Sequence, residues 1–260
     1  MEVIVESIVA LVALTMMEIV LGIDNIIFIA ILTDRLPEEQ QDKARRIGLG
    51  LAMVMRIGLL LALAAIMGLI EPIFQLSDIG IPLSWLPEEH RAEINGISWR
   101  DIILFCGGLF LIGKSVREIH EQFEGDDELA VSKQTTFGGV LFQIVLLDII
   151  FSLDSVITAV GMVEPDQQWV MITAIILAVG VMMFFASRVS SFVKQNPTVK
   201  MLALSFLIMI GVMLVAEGAG THINKGYIYF AMAFSLIVEL LNISLRRKVV
   251  PDPSTPSAID

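Results

Sequence analysis

The 260-residue chain is 56% hydrophobic and only 17% charged, with a mean hydropathy of +0.80, a balance that sets it apart from soluble single-core proteins. Its net charge of −11 speaks against nucleic acid as a partner. A single cysteine, Cys106, rules out an intramolecular disulfide and a thiolate metal site, and reads as an inert core thiol.

Seven apolar runs follow one another at roughly 3–32, 44–70, 101–121, 137–163, 168–189, 199–217 and 225–246. Most reach the ~20 residues with which a helix crosses ~30 Å of hydrocarbon. The fold expected is all-α: a polytopic membrane protein with seven transmembrane helices in one domain over residues 1–250, ending in a disordered polar tail, 251–260. The first run starts with Glu2 and Glu6 where a secretory signal carries basic residues, so it is expected to stay in the mature protein. Its interior holds Glu18, Asp24 and Asn25, at depths where a lipid-spanning helix should carry hydrocarbon.

Basic residues fall on alternate connections. Arg35, Lys43, Arg45 and Arg46 follow the first run; Lys114, Arg117 and Lys133 the third; Arg188, Lys194 and Lys200 the fifth; Arg246, Arg247 and Lys248 the seventh. The positive-inside rule therefore puts the amino terminus outside and the carboxyl terminus in the cytoplasm, as in a bacterial inner membrane. Between the second and third runs, residues 71–99 carry Trp85 and Trp99 as interfacial anchors and prolines that forbid one continuous helix, so this segment reads as a surface flap. The segment EGDDELAVSKQ reads as an acidic linker.

The fourth run repeats the first. Residues 18–30, EIVLGIDNIIFIA, align without a gap on residues 148–160, DIIFSLDSVITAV. Glu18 meets Asp148, Gly22 meets Ser152, Asp24 meets Asp154 and Asn25 meets Ser155. Three spans separate the two copies, so they enter the membrane from opposite sides: an inverted repeat of three plus three helices, about 1–121 and 137–217, with an additional helix at 225–246. Arg56 and Arg188 offer a weaker correspondence. In a straight helix, residues six apart lie roughly 120° apart around the axis, so convergence of both acids of one copy on a small ion predicts a helix break near Gly22 and another near Ser152.

Four intramembrane carboxylates cost several kcal/mol each when ionised and unpaired. Arg56, Lys114 and Arg188 could form structural ion pairs with them, although all three read as lying near membrane ends, where long side chains snorkel. The other offset is a divalent cation. Carboxylate, amide and hydroxyl oxygens from Glu18, Asp24, Asn25, Asp148, Asp154 and Ser155 suit a hard ion such as Mn²⁺, Ca²⁺ or Mg²⁺, and the motifs hold neither Cys nor His. Protons can replace the metal on the same carboxylates, which makes proton antiport chemically available. Glu239 and Asn242, an i, i+3 pair in the seventh run, form a second tier of the ion path. Glu217 reads as interfacial, His90, His120 and His222 as surface residues, and the fourteen methionines as packing. No HExxH pair, nucleophile with its base or phosphate loop appears, so an enzyme is not expected.

The segments EIVLGIDNIIFIAIL, FCGGLFLIGKSVREIHE, LLDIIFSLDSVITAVGM and AEGAGTHINKGYIYFAMAFSLIVELLN resemble the hallmark segments of the TerC family of integral membrane proteins, over nearly the whole chain. The resemblance implies a seven-span protein of a cation-exporter superfamily, with the acidic motif positions at Glu18, Asp24 and Asn25 and at Asp148, Asp154 and Ser155, and it narrows the ion to manganese. Expected partners are the divalent metal ion, the lipid bilayer and protons as the coupling ion. The alternative is a non-transporting membrane scaffold or membrane-protein assembly factor of the type associated with tellurite resistance, in which the acids serve structural pairing.

Overall fold

The structure is a computed structural model that describes residues 2–62, 68–80, 94–124, 136–160, 168–221 and 223–249. The expectations for Trp85, His90, the acidic linker, His222 and the tail lie outside these residues. Among the described residues seven α-helices follow in chain order: α1 (Glu2–Asp34), α2 (Glu38–Leu61), α3 (Trp99–Glu124), α4 (Phe137–Val160), α5 (Gln168–Gln195), α6 (Pro197–Gly218) and α7 (Lys225–Val249). Four stretches among them are long and apolar enough to cross a membrane, Glu6–Asp34, Gln168–Gln195, Pro197–Gly218 and Lys225–Arg246. The protein is thus an all-α membrane protein. With 24 and 26 residues, α2 and α3 extend over ~36 and ~39 Å at 1.5 Å per residue.

Local chemistry sets the helix ends. Pro37 disfavours helical backbone at the residue before it and so separates α1 from α2, whose first turn carries Glu38 and Glu39 at the positive end of the helix dipole. Pro197 opens α6, where its missing N–H costs no intrahelical bond. After α6, Gly220 takes φ 80°, the left-handed conformation that lets the chain turn into α7. Between α2 and α3, the segment read as a surface flap contains a small antiparallel pair, β1 (Pro72–Gln75) and β2 (Gly96–Ser98).

Close contacts fix how the helices run. Glu18 in α1 reaches Arg56 in α2, while the end of α1 adjoins the start of α2, so these two are antiparallel. Gly48 lies against Ile144, and Arg56 reaches Asp148 and Ser152, so α2 and α4 are parallel. It follows that α1 and α4 run in opposite directions, as the odd separation of the two motifs requires. Gly22 lies against Met182 and Asp34 approaches Lys194, which makes α1 and α5 parallel. Gly108 meets Gly211 while Gly218 meets Asp101 and Phe105, so α3 and α6 cross antiparallel.

The principal packed pairs are α3 with α6, α1 with α5 and α2 with α4, and α2 also packs on α5. Exchanging α1 with α4, α2 with α5 and α3 with α6 returns the same pairs. Detail follows the same exchange. The buried residues Ala44, Arg45, Gly48, Leu49, Ala52, Arg56 and Leu60 of α2 match Val170, Met171, Ala174, Ile175, Ala178, Met182 and Ala186 of α5 in spacing. Gly108 against Val215 is answered by Gly211 against Ile112.

Apolar area alone cannot hold helices together in lipid, because the solvent is as apolar as the side chains; close approach of small residues does much of that work. A Cβ on Gly108 would stand 2.5 Å from the Gly211 carbonyl oxygen, and one on Gly218 would stand 2.6 Å from the Asp101 carbonyl oxygen. Outside this seam Val12, Met16, Phe142, Phe184, Phe230 and Phe234 are exposed, the side chains that face acyl chains. Cys106 is exposed as well, so it is not the core thiol expected.

Candidate functional site

The expected helix breaks are absent. Helix α1 runs unbroken from Glu2 to Asp34 and α4 from Phe137 to Val160. Gly22 serves close packing instead: a Cβ there would fall 2.4 Å from Met182 Sδ. Ser152, its counterpart in the second copy, accepts a hydrogen bond from Arg56 Nε at 3.1 Å and donates one to Asp148 Oδ2 at 3.3 Å. What meets is one acid from each copy.

Arg56 makes that meeting. Its Nη1 donates to Glu18 Oε2, and its Nη2 donates to Asp148 Oδ1 at 3.2 Å. Glu18, Arg56, Asp148 and Ser152 are 9, 4, 5 and 0% exposed, so the cluster is withdrawn from both water and lipid. A planar guanidinium, with five donors in a fixed fork, holds two carboxylates and a hydroxyl at once. The expectation that Arg56 snorkels from a membrane end is therefore corrected: it sits in the interior of the bundle and offsets two acids. Breaking such a buried pair by removing one partner costs about 3–5 kcal/mol, because the other charge is left uncompensated.

Its expected match with Arg188 is corrected too. Arg188 is exposed, with its guanidinium 5.0 Å from the centre of the Phe184 ring. Met182, which packs on Gly22 as Arg56 packs on Ser152, holds the corresponding place. Around the cluster, Asn25, Met53, Arg56, Asp148 and Met182 line a small cavity of about 10 Å³, room for about one water. Asn25 is thus brought to the acid cluster, and so, unexpectedly, are two methionines.

The side chains of Asp24, Asp154 and Ser155 lie outside the described residues. Among the described residues no three acids, histidines or cysteines gather as metal ligands. Glu239 and Asn242 are half-buried on α7, and Glu239 Oε1 is buried without a hydrogen-bond partner among the described residues. Glu217 is buried, 3.7 Å from Arg100 and 4.0 Å from Lys225. At the opposite end of the bundle Arg35 pairs with Glu118 and Glu121, while Lys194 and Lys200 each stand 3.7 Å from Asp34, so that α1, α3, α5 and α6 are tied together at the α1 carboxyl end.

Comparison with known proteins adds a family. The model of the integral membrane protein TerC family matches residues 4–251. The chain is 49% identical over 239 residues to the UPF0053 inner membrane protein YgdQ of Escherichia coli K12, covering 92% of this chain and 93% of that one. It is 51% identical over 244 residues to a UPF0053 protein of Haemophilus influenzae, covering 93% and 95%. Against the UPF0053 inner membrane protein YoaE of Escherichia coli K12 the identity is 45% over 247 residues, which span 94% of this chain but 44% of the longer relative. No solved structure matches significantly.

Proposed function

The chain belongs to the TerC family of integral membrane proteins, and on that premise we propose that it is a bacterial inner-membrane transporter exporting a hard divalent cation, Mn²⁺ by preference, from the cytoplasm. In this reading all seven helices cross the membrane as two inverted halves plus α7, with the amino terminus outside. The inner-membrane names of the relatives support the location.

One observation carries the transport reading: Glu18 and Asp148, one from each copy of the motif, are drawn together inside the bundle with a single Arg56 between them. Two carboxylates and one guanidinium leave a net negative charge, and Asp24 and Asp154 follow six residues further along the same two helices. A divalent cation or protons offset that excess, and oxygen donors select a hard metal. Because protonated carboxyls are poor ligands, metal and protons bind in exchange, which is the basis of antiport.

The test is transport by the purified protein in liposomes with the membrane potential clamped. An imposed proton gradient should drive Mn²⁺ uphill, and Asp24→Asn or Asp154→Asn should abolish both the flux and the rise in melting temperature that a bound ligand confers. Arg56 pairing with both Glu18 and Asp148 favours, as a second reading, a non-transporting scaffold. That reading expects no protection by Mn²⁺ at any concentration.

A further inference from the structure

We infer that Arg56 is a tethered counter-cation: it occupies, in the resting protein, the place between Glu18 and Asp148 that the transported ion must take, so ion binding requires the guanidinium to be displaced. The inference rests on the transport reading above and adds a competitor to it.

Three features lead there. Arg56 donates to Glu18 Oε2 and Asp148 Oδ1 while Ser152 donates to Asp148 Oδ2, so three of the four carboxylate oxygens an ion would seek already accept hydrogen bonds. Of the side chains that line the cavity beside them, only Asn25 and Asp148 carry oxygens, whereas Mn²⁺ and its hard relatives need about six oxygen ligands. An ion placed there with Arg56 unmoved would also face a full positive charge in a low-dielectric interior. Room, ligands and charge balance all become available together when the guanidinium leaves.

The arrangement is one-sided. In the other half of the molecule the corresponding place is held by the uncharged thioether of Met182, packed on Gly22. Among the described residues Arg56 therefore serves one acid from each half, and Glu18 and Asp148 are never left bare: they hold either the arginine or the ion.

The test compares Mn²⁺ binding by the full-length wild type, Arg56→Gln and Arg56→Lys in detergent, using calorimetry and the Mn²⁺ dependence of the melting temperature. Competition expects the Arg56→Gln apoprotein to melt lower but to bind Mn²⁺ about tenfold tighter or more, the change that ~1.4 kcal/mol brings. Arg56→Lys, which keeps the charge and loses the fork, should tighten binding to a smaller extent, and decides the matter if the glutamine variant does not fold. Tight binding by the variants with none detectable in the wild type supports the inference equally. Wild-type binding that stays the same or weakens in the variants overturns it, leaving Arg56 a structural pin and the transport reading intact. No Mn²⁺ binding by any of the three defeats the transport reading, and the counter-cation falls with it.

Discussion

Replacing Gly108 by alanine tests the close crossing of α3 on α6, and Gly113 on the same helix supplies the control. The new methyl at position 108 would stand 2.5 Å from the Gly211 carbonyl oxygen and 2.8 Å from the Val215 nitrogen, whereas a relaxed carbon–oxygen contact is about 3.3–3.6 Å. Helices α3 and α6 must therefore part by about 1 Å, a gap at which neighbouring contacts lose about a quarter to a half of their dispersion energy. Overpacking of this kind costs about 1–3 kcal/mol, partly offset by the ~0.5–1 kcal/mol that alanine gains over glycine in a helix. Among the described residues a methyl at Gly113 meets nothing within 4 Å, so that variant keeps the helix gain alone. Cancelling the common gain leaves Gly108→Ala less stable than Gly113→Ala by about 1–3 kcal/mol, and at about 2–4 °C per kcal/mol the melting temperatures in detergent should differ by several degrees. Equal melting, or a more stable Gly108→Ala, would refute the claim that backbone contact between α3 and α6 holds the bundle together.

A Cβ on Gly48 would lie 3.8 Å from the Ile144 Cβ, near the mean separation in disulfides. In a Cys106→Ser background, Gly48→Cys with Ile144→Cys should crosslink on mild oxidation, and a mobility shift that never appears would deny the parallel packing of α2 on α4. Near the polar start of α2, the hydrogen bond and charge of Arg45 hold the Asp42 carboxyl below the usual aspartate range. A depressed folded value stabilises the protein above the unfolded value of about 3.9 and loses that contribution as pH falls through the folded one. Asp42→Asn should therefore lessen the drop in melting temperature below about pH 4, and identical acid profiles would remove this pair from the acid response.

Hydropathy located the helices well because it measures distance from water. The runs at 137–163 and 168–189 became Phe137–Val160 and Gln168–Gln195. Helices α2 and α5 overrun their apolar stretches where polar turns such as Glu38–Lys43 continue the helix into the interface. The gapless repeat also anticipated that Glu18 and Asp148 belong together. Their mediator was not legible in the same way. Arg56 and Asp148 are 92 residues apart, and an arginine in an apolar run is the same letter whether it snorkels or faces inward. The burial spacing of α2 against α5 would have paired Arg56 with Met182 rather than Arg188, but that spacing emerges only once helix faces are known. Glycine misled for a related reason: at position 22 it signals a close neighbour as readily as a break, and only Met182 decides between them.

The interleaving of the halves bears on how the chain enters the membrane during synthesis. Helices α1 and α2 form an antiparallel pair in which Glu18 already meets Arg56, so the first two segments can bring Glu18 its counter-charge before the rest has been made. Asp148 arrives on α4 and finds its cation on α2. The early hairpin is in effect a template that the later segments complete. A fragment beginning at α4 would carry Asp148 into lipid without that cation, while a fragment ending after α3 would carry Glu18 with Arg56 beside it. The order of the segments along the chain thus matches the order in which their charges can be buried.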